Sequence, residues 1–171
     1  PALHEIEHQL KRGQGMTIVT GPTGSGKSTT LYSMLGAINA KDANISTIED
    51  PVEYAVPGIN QVQVDTRSGM SFANSLRAVL RQDPNVIMVG ELRDNETANL
   101  AMQATMSGHP VFAGLYTKNA ASAFPHLINM NVEPFVVATS VKTVVAQRLV
   151  RRLCPDCRET YTVSTEELAR I

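Results

Sequence analysis

The turn Gly21-Pro-Thr-Gly-Ser-Gly26-Lys27-Ser28 constrains this chain more than anything else in it. Glycines at the spacing G-x-x-x-x-G-K-[ST] let a backbone wrap closely around phosphate groups, with a lysine and a hydroxyl delivered at its end. The turn follows an apolar run, Met16-Thr-Ile-Val-Thr20, and precedes a helical pattern that begins near Lys27. In that setting successive N–H groups and a helix N-terminus face the negative charge. Lys27 is then expected to reach the β and γ phosphates and the Ser28 hydroxyl to ligate Mg2+. Gly21, Pro22, Thr23, Gly24, Ser25, Gly26, Lys27, Ser28 and Thr29 are the expected ATP-binding loop. A glycine-rich surface turn in an unrelated α/β protein would account for the glycines, but not for the strand, lysine, hydroxyl and helix together.

Around this turn, short β-branched runs alternate with helical patterns, which is how a parallel sheet with crossover helices looks from sequence. Leu3, Ile6 and Leu10 recur at helical spacing ahead of Gly13. Asn44 to Ile48, Val86 to Gly90 and Pro110 to Leu115 read as strands, and Gln61 to Asp65, alternating polar and apolar, as a strand nearer an edge. Ser71, Asp94 and Asn119 are expected N-caps. Pro134 to Gln147 reads as a helix. The predicted class is therefore α/β, a mostly parallel β-sheet flanked by α-helices. The tail after Cys157 is rich in Glu, Thr and Ser and is expected to be poorly ordered.

With 171 residues, 43% of them hydrophobic, the chain has room for one well-buried core. A formal net charge of −1 argues against a broadly basic face, so no nucleic acid partner is expected, although a local patch stays open. The apolar runs fall far short of the roughly 18 to 20 residues that cross a bilayer, and no basic, apolar leader opens the chain. The expectation is a soluble, cytoplasmic protein. Cys154 and Cys157, two residues apart, read as redox or metal chemistry rather than as a structural disulfide.

Carboxylates gather after two of the predicted strands. Glu49-Asp50-Pro51-Val52-Glu53 places three at a strand's carboxyl end, where ligands bind in open α/β sheets. Alone, such a cluster before proline is an ordinary solvated turn. Beside a phosphate loop, Glu49 is placed to orient or deprotonate water, or to hold Mg2+ through water. Val86-Ile-Met-Val-Gly-Glu91 has four apolar residues and then a carboxylate, which suits a Walker B strand, and Glu91 is the first candidate for the hydrolytic carboxylate and a second Mg2+ partner.

Gly21 through Tyr32, Thr47-Ile-Glu-Asp-Pro-Val-Glu-Tyr54, Leu76 through Asn85, Met88-Val-Gly-Glu-Leu-Arg-Asp94 and Gln147 through Cys154 together resemble the ATPases of type II secretion and type IV pilus assembly. The resemblance covers residues from about 15 to 157. It implies a RecA-like P-loop NTPase domain over 1–153 and the truncated start of a C-x-x-C metal-binding element, or a tail, over 154–171. It further implies ATP and Mg2+ as ligands and a homo-oligomer, a hexamer. That hexamer would be peripheral at the cytoplasmic face of the inner membrane and act on a membrane-platform protein. A separate N-terminal domain completes each nucleotide site in that family. With none ahead of residue 1, the chain reads as a fragment or truncated relative. By the same resemblance Glu49, Asp50 and Glu53 form the Asp box, Glu91 the Walker B carboxylate, and Gly108-His109 the histidine box. Where the family ends the following strand with a second histidine, this sequence has Tyr116, which brings neither titration near neutral pH nor two ring nitrogens.

His109 is read either as that box residue or as a surface histidine in a Gly-His-Pro turn. Arg67, Arg77, Arg81 and Arg93 are candidates for phosphate or inter-subunit contacts, since a guanidinium donates paired hydrogen bonds to phosphate, with structural ion pairs as the plainer alternative. Cys154-Pro-Asp-Cys157 is half of a zinc site, because a closed tetrahedron needs four ligands. In family members with the metal element a second pair follows a longer insertion, so zinc is expected in a longer protein rather than on these two thiols alone.

Overall fold

The computed structural model describes residues 2–169. Helix α1 (Ala2–Arg12) leads to strand β1 (Met16–Thr20), the glycine turn and helix α2 (Lys27–Ile38), followed by β2 (Ile45–Glu49) and β3 (Asn60–Gln63). Next come a short 3-10 turn at Thr66–Ser68, α3 (Phe72–Leu80), β4 (Val86–Val89), α4 (Asn95–Met106) and β5 (Val111–Leu115). The chain ends with α5 (Ala123–Asn129), α6 (Pro134–Ser140), β6 (Val141–Ala146) and α7 (Thr165–Leu168). The six strands form one sheet in the order β3-β2-β4-β5-β1-β6, parallel at every pairing.

Alternation along each strand explains the two-sided core. In β1, Met16 and Ile18 enter one cluster and Val19 the other; in β4, Ile87 and Val89 face one way and Val86 and Met88 the other. The first cluster is covered by α3, α4, α5 and α6 and the second by α1 and α2, so β1, β2, β4 and β5 are buried on both faces. Burying a Leu, Ile or Met completely, as at Ile18, Leu35, Ile48 and Met102, contributes roughly 1.5–3 kcal/mol each. The half-exposed β3 lies at one edge, as its alternation predicts.

Ser71 Oγ accepts the Asn74 N–H at 3.2 Å and Asp94 Oδ1 the Thr97 N–H at 2.7 Å, so both act as the expected caps. Asn119 differs. Its Oδ1 accepts the Ser122 N–H at 2.8 Å, which closes the turn before α5 rather than capping the helix. The segment read as one helix from Pro134 to Gln147 is instead α6 followed by strand β6. Val141-Lys-Thr-Val-Val-Ala is β-branched and meets the open edge of β1, where ladder hydrogen bonds outweigh the helical spacing of its apolar residues. In the tail, α7 is a single turn closed by a reciprocal capping box between Ser164 and Glu167.

Candidate functional site

All six strands point their carboxyl ends the same way, and the glycine turn and both acidic segments leave from those ends. There they line one cavity of about 410 Å³, within the range of small-molecule sites. Its wall includes Gly24 from the turn, Lys27, Ser28 and Thr29 from the start of α2, Glu49 at the end of β2 with Asp50 and Glu53 beyond it, and Glu91 and Arg93 after β4.

The turn has the shape its glycines allow. Gly24 (φ +74°) and Gly26 (φ +85°) occupy left-handed conformations, Gly26 directly before α2. A Cβ on Gly24 would enter open space, whereas one on Gly21 would strike Ser25 Oγ and the Gln147 carbonyl. Gln147 also fastens the turn from outside: its Nε2 donates to Ser25 O at 2.6 Å, and its N–H to Thr20 O at 3.0 Å. Lys27 Nζ donates to the carbonyls of Gly21 (2.9 Å) and Pro22 (3.1 Å) and lies 3.9 Å from the centre of the Tyr116 ring. Exposed glycine backbone, an ammonium group, the Ser28 hydroxyl and the N-terminus of a twelve-residue helix fit a polyphosphate.

Glu49 is 3% exposed, and a buried carboxylate must be satisfied. It accepts hydrogen bonds from the Tyr32 hydroxyl, from Thr47 Oγ1 at 2.5 Å and from Gln61 Nε2 at 3.2 Å. Tyr32, from α2, packs edge-on against Tyr54, and burial followed by the Glu49 hydrogen bond raises its phenol above the ordinary range. Glu91 is more open to the cavity. Arg93 Nε donates to its Oε2 at 2.7 Å, while Arg93 Nη1 donates to Asp50 Oδ2 at 2.7 Å. The Glu91 hydrogen bond, then the second carboxylate, raise the guanidinium's pKa further. Arg93 therefore ties the β4 end to the β2 end.

The remaining candidates lie elsewhere. His109 precedes the amino end of β5, at the opposite end of the strands from the cavity, with Nδ1 3.2 Å from Ala104 O and 3.0 Å from Ser107 Oγ. Arg77 pairs with Glu96 at 2.5 Å, Arg67 sits in the 3-10 turn, and Arg81 follows α3; none lines the cavity. Cys154 and Cys157 are exposed free thiols, with the Cys154 thiol lowered by backbone N–H groups of Asp156 and Cys157. Among the described residues no group of three or more His, Cys, Asp or Glu is arranged to hold a metal ion. Also among them, no helix is long and apolar enough to cross a membrane.

Several residues at the site carried no assigned role from the sequence. Tyr32, Thr47 and Gln61 fix Glu49, Gln147 fixes the turn, and Leu149 and Phe72 line the cavity. Gly114 is the clearest omission with a readable signal, since a glycine inside a strand marks close backbone approach. A Cβ there would meet Gly90 O at 2.1 Å, next to Glu91.

Residues 1–170 match the family model described as type II/IV secretion system protein. The putative type II secretion system protein E of Escherichia coli (strain K12) is 53% identical over 163 residues, 95% of this chain and 33% of that protein. The type II secretion system ATPase E of Vibrio cholerae is 53% identical over 158 residues, 92% of this chain and 31% of that protein. Among solved structures, the pilus retraction motor PilT with bound ADP superposes with a TM-score of 0.78 at 39% identity, covering 85% of this chain and 46% of that one. The chain thus spans about a third of the length of these two curated relatives.

Proposed function

We propose, from the premise that this chain belongs to the type II/IV secretion system protein family, that it binds and hydrolyses ATP as the motor unit of a type II secretion or type IV pilus assembly machine. The observation that supports this best is the convergence in one cavity of Lys27 and Ser28 with Glu49 and Glu91, at the carboxyl ends of a parallel sheet.

In this function the backbone from Gly21 to Thr29 cradles the phosphates, and Lys27 leaves the Gly21 and Pro22 carbonyls to neutralise phosphate charge. Ser28 Oγ and a Glu91 oxygen are hard donors of the kind that hold Mg2+, which when bound supplies charge neutralisation during phosphoryl transfer. Glu91 positions or activates the attacking water. Glu49 helps it as an orienting group, because its oxygens already accept from Tyr32, Thr47 and Gln61. Asp50 and Glu53 complete the acidic wall, and Arg93 holds Asp50 and Glu91 in register. Residues 1–153 form the motor domain. Residues 154–171 begin a metal-binding element in which Cys154 and Cys157 supply two zinc ligands to a longer protein. The working form is a hexamer at the cytoplasmic face of the inner membrane, with Arg67, Arg77 and Arg81 available to neighbouring subunits and a membrane-platform protein receiving the work.

Binding without turnover is the alternative, favoured by the engagement of Glu91 with Arg93. Phosphate release from Mg-ATP, measured across protein concentrations for the wild type and Glu91→Gln with DNA added to one series, separates the cases. The expected outcome is turnover that rises with assembly, ignores DNA and falls by about 10²-fold or more in the variant. ATP retained with no turnover in either protein would leave a binding module, and stimulation by DNA would point to a translocase.

A further inference from the structure

Tyr116 stands directly after β5, and its backbone neighbours are pinned to the start of the glycine turn. Gly21 N–H and Thr20 Oγ1 both donate to Leu115 O, at 3.3 and 3.0 Å, and Thr117 N–H donates to Thr20 Oγ1 at 2.8 Å. Arg148 holds the next residue through Lys118 O at 2.7 Å. Tyr116 lines both the main cavity and a second cavity of about 220 Å³. Lys27 Nζ lies 3.9 Å from its ring centroid, within the roughly 6 Å over which a ring face attracts an ammonium. The same Nζ also makes two carbonyl hydrogen bonds.

Resting on the assignment of the Gly21–Ser28 turn to phosphate, we propose that Tyr116 sets the affinity of the site by holding Lys27 in a parked position, on the ring face and the Gly21 and Pro22 carbonyls, which a triphosphate must displace. The ammonium group cannot keep all three contacts and also meet phosphate oxygens across the cavity. Whatever stabilises the parked state reduces the fraction of molecules ready to bind, and apparent affinity falls by that fraction. The two carbonyls belong to the turn itself, whereas the ring is contributed by one replaceable side chain from another element. An imidazolium at the same place would repel Lys27, whereas an aromatic ring face attracts it.

The test combines ATP titration by calorimetry in excess Mg2+ with the proton shifts of the Lys27 ε-methylene, both on the whole chain. In the free wild type those protons, on the carbon bonded to the Nζ that lies over the ring, are expected to resonate upfield, and saturation with ATP to remove the shift. Tyr116→Leu is expected to lose the upfield shift and bind ATP about two- to fivefold more tightly. Tyr116→Phe, which keeps the ring, is expected to restore both wild-type values. Equal affinity in wild type and Tyr116→Leu overturns the proposal alone, as does weaker binding in Tyr116→Leu, which would make the ring a contact for the ligand. Failure of wild type and Tyr116→Leu alike to bind ATP, with the wild-type upfield shift unchanged on adding ATP, overturns the phosphate assignment and this proposal with it.

Discussion

Glu49 shows how a buried charge is held at this site. At 3% exposure it would be costly alone, but Tyr32, Thr47 and Gln61 supply donors from three elements. Hydrogen bonds to charged groups contribute about 1.5–3 kcal/mol, so Tyr32→Phe is expected to lower the unfolding free energy by about that much near pH 8. Burial and Glu49 raise the Tyr32 phenol above its ordinary value of 10.0. A group with a raised folded-state pKa contributes its full stability below the unfolded value and loses it as pH climbs toward the folded one. Denaturant midpoints measured from pH 8 to 11 should therefore fall faster for wild type than for Tyr32→Phe, narrowing the gap above pH 10. A gap that stays constant over that range would show that Tyr32 does not take part in the titration.

Between β4 and β5 the deciding contact is backbone against backbone. Leu92 N–H donates to Gly114 O at 3.0 Å, and the Gly90 carbonyl approaches Gly114 so closely that no Cβ fits. Gly114→Ala must push the Gly90 carbonyl away, and with it Glu91. Overpacking of this kind costs about 1–3 kcal/mol, and the melting temperature should drop by roughly 2–4 °C for each kcal/mol lost. An unshifted melting temperature would mean the strands separate freely there. The glycine turn, β1, α2 and the central strands were legible in the sequence because each rests on local chemistry: glycine spacing, β-branched runs and caps at Ser71 and Asp94. Strand β6 was not, since Val141 to Ala146 has apolar spacing compatible with a helix and is made a strand by the distant edge of β1. Likewise the acidic segments could be placed near the glycine turn from sequence, but the ties that orient them could not. Tyr32 to Glu49, Arg93 to Asp50 and Gln147 to Ser25 join residues 17, 43 and 122 positions apart.

Charge is distributed unevenly over the whole molecule. The chain carries a formal net charge of only −1, yet the cavity wall gathers four carboxylates, Glu49, Asp50, Glu53 and Glu91, against two cations, Lys27 and Arg93. The parallel sheet produces this concentration, because the segments that carry these side chains all lie at the same end of the strands. A polyanionic ligand entering such a wall meets repulsion that Lys27 alone does not offset, and Arg93 is already shared between Asp50 and Glu91. On the proposed function, divalent metal is therefore expected to contribute to nucleotide binding as well as to chemistry. ATP affinity measured in excess EDTA should fall by about tenfold or more relative to excess Mg2+, equivalent to ~1.4 kcal/mol. Glu53→Gln, which removes one exposed carboxylate from the wall, should recover part of that loss in EDTA and change affinity little when Mg2+ is present. If affinity is the same with and without the metal, Lys27 and the helix N-terminus already balance the wall, and the excess carboxylates serve positioning rather than metal capture.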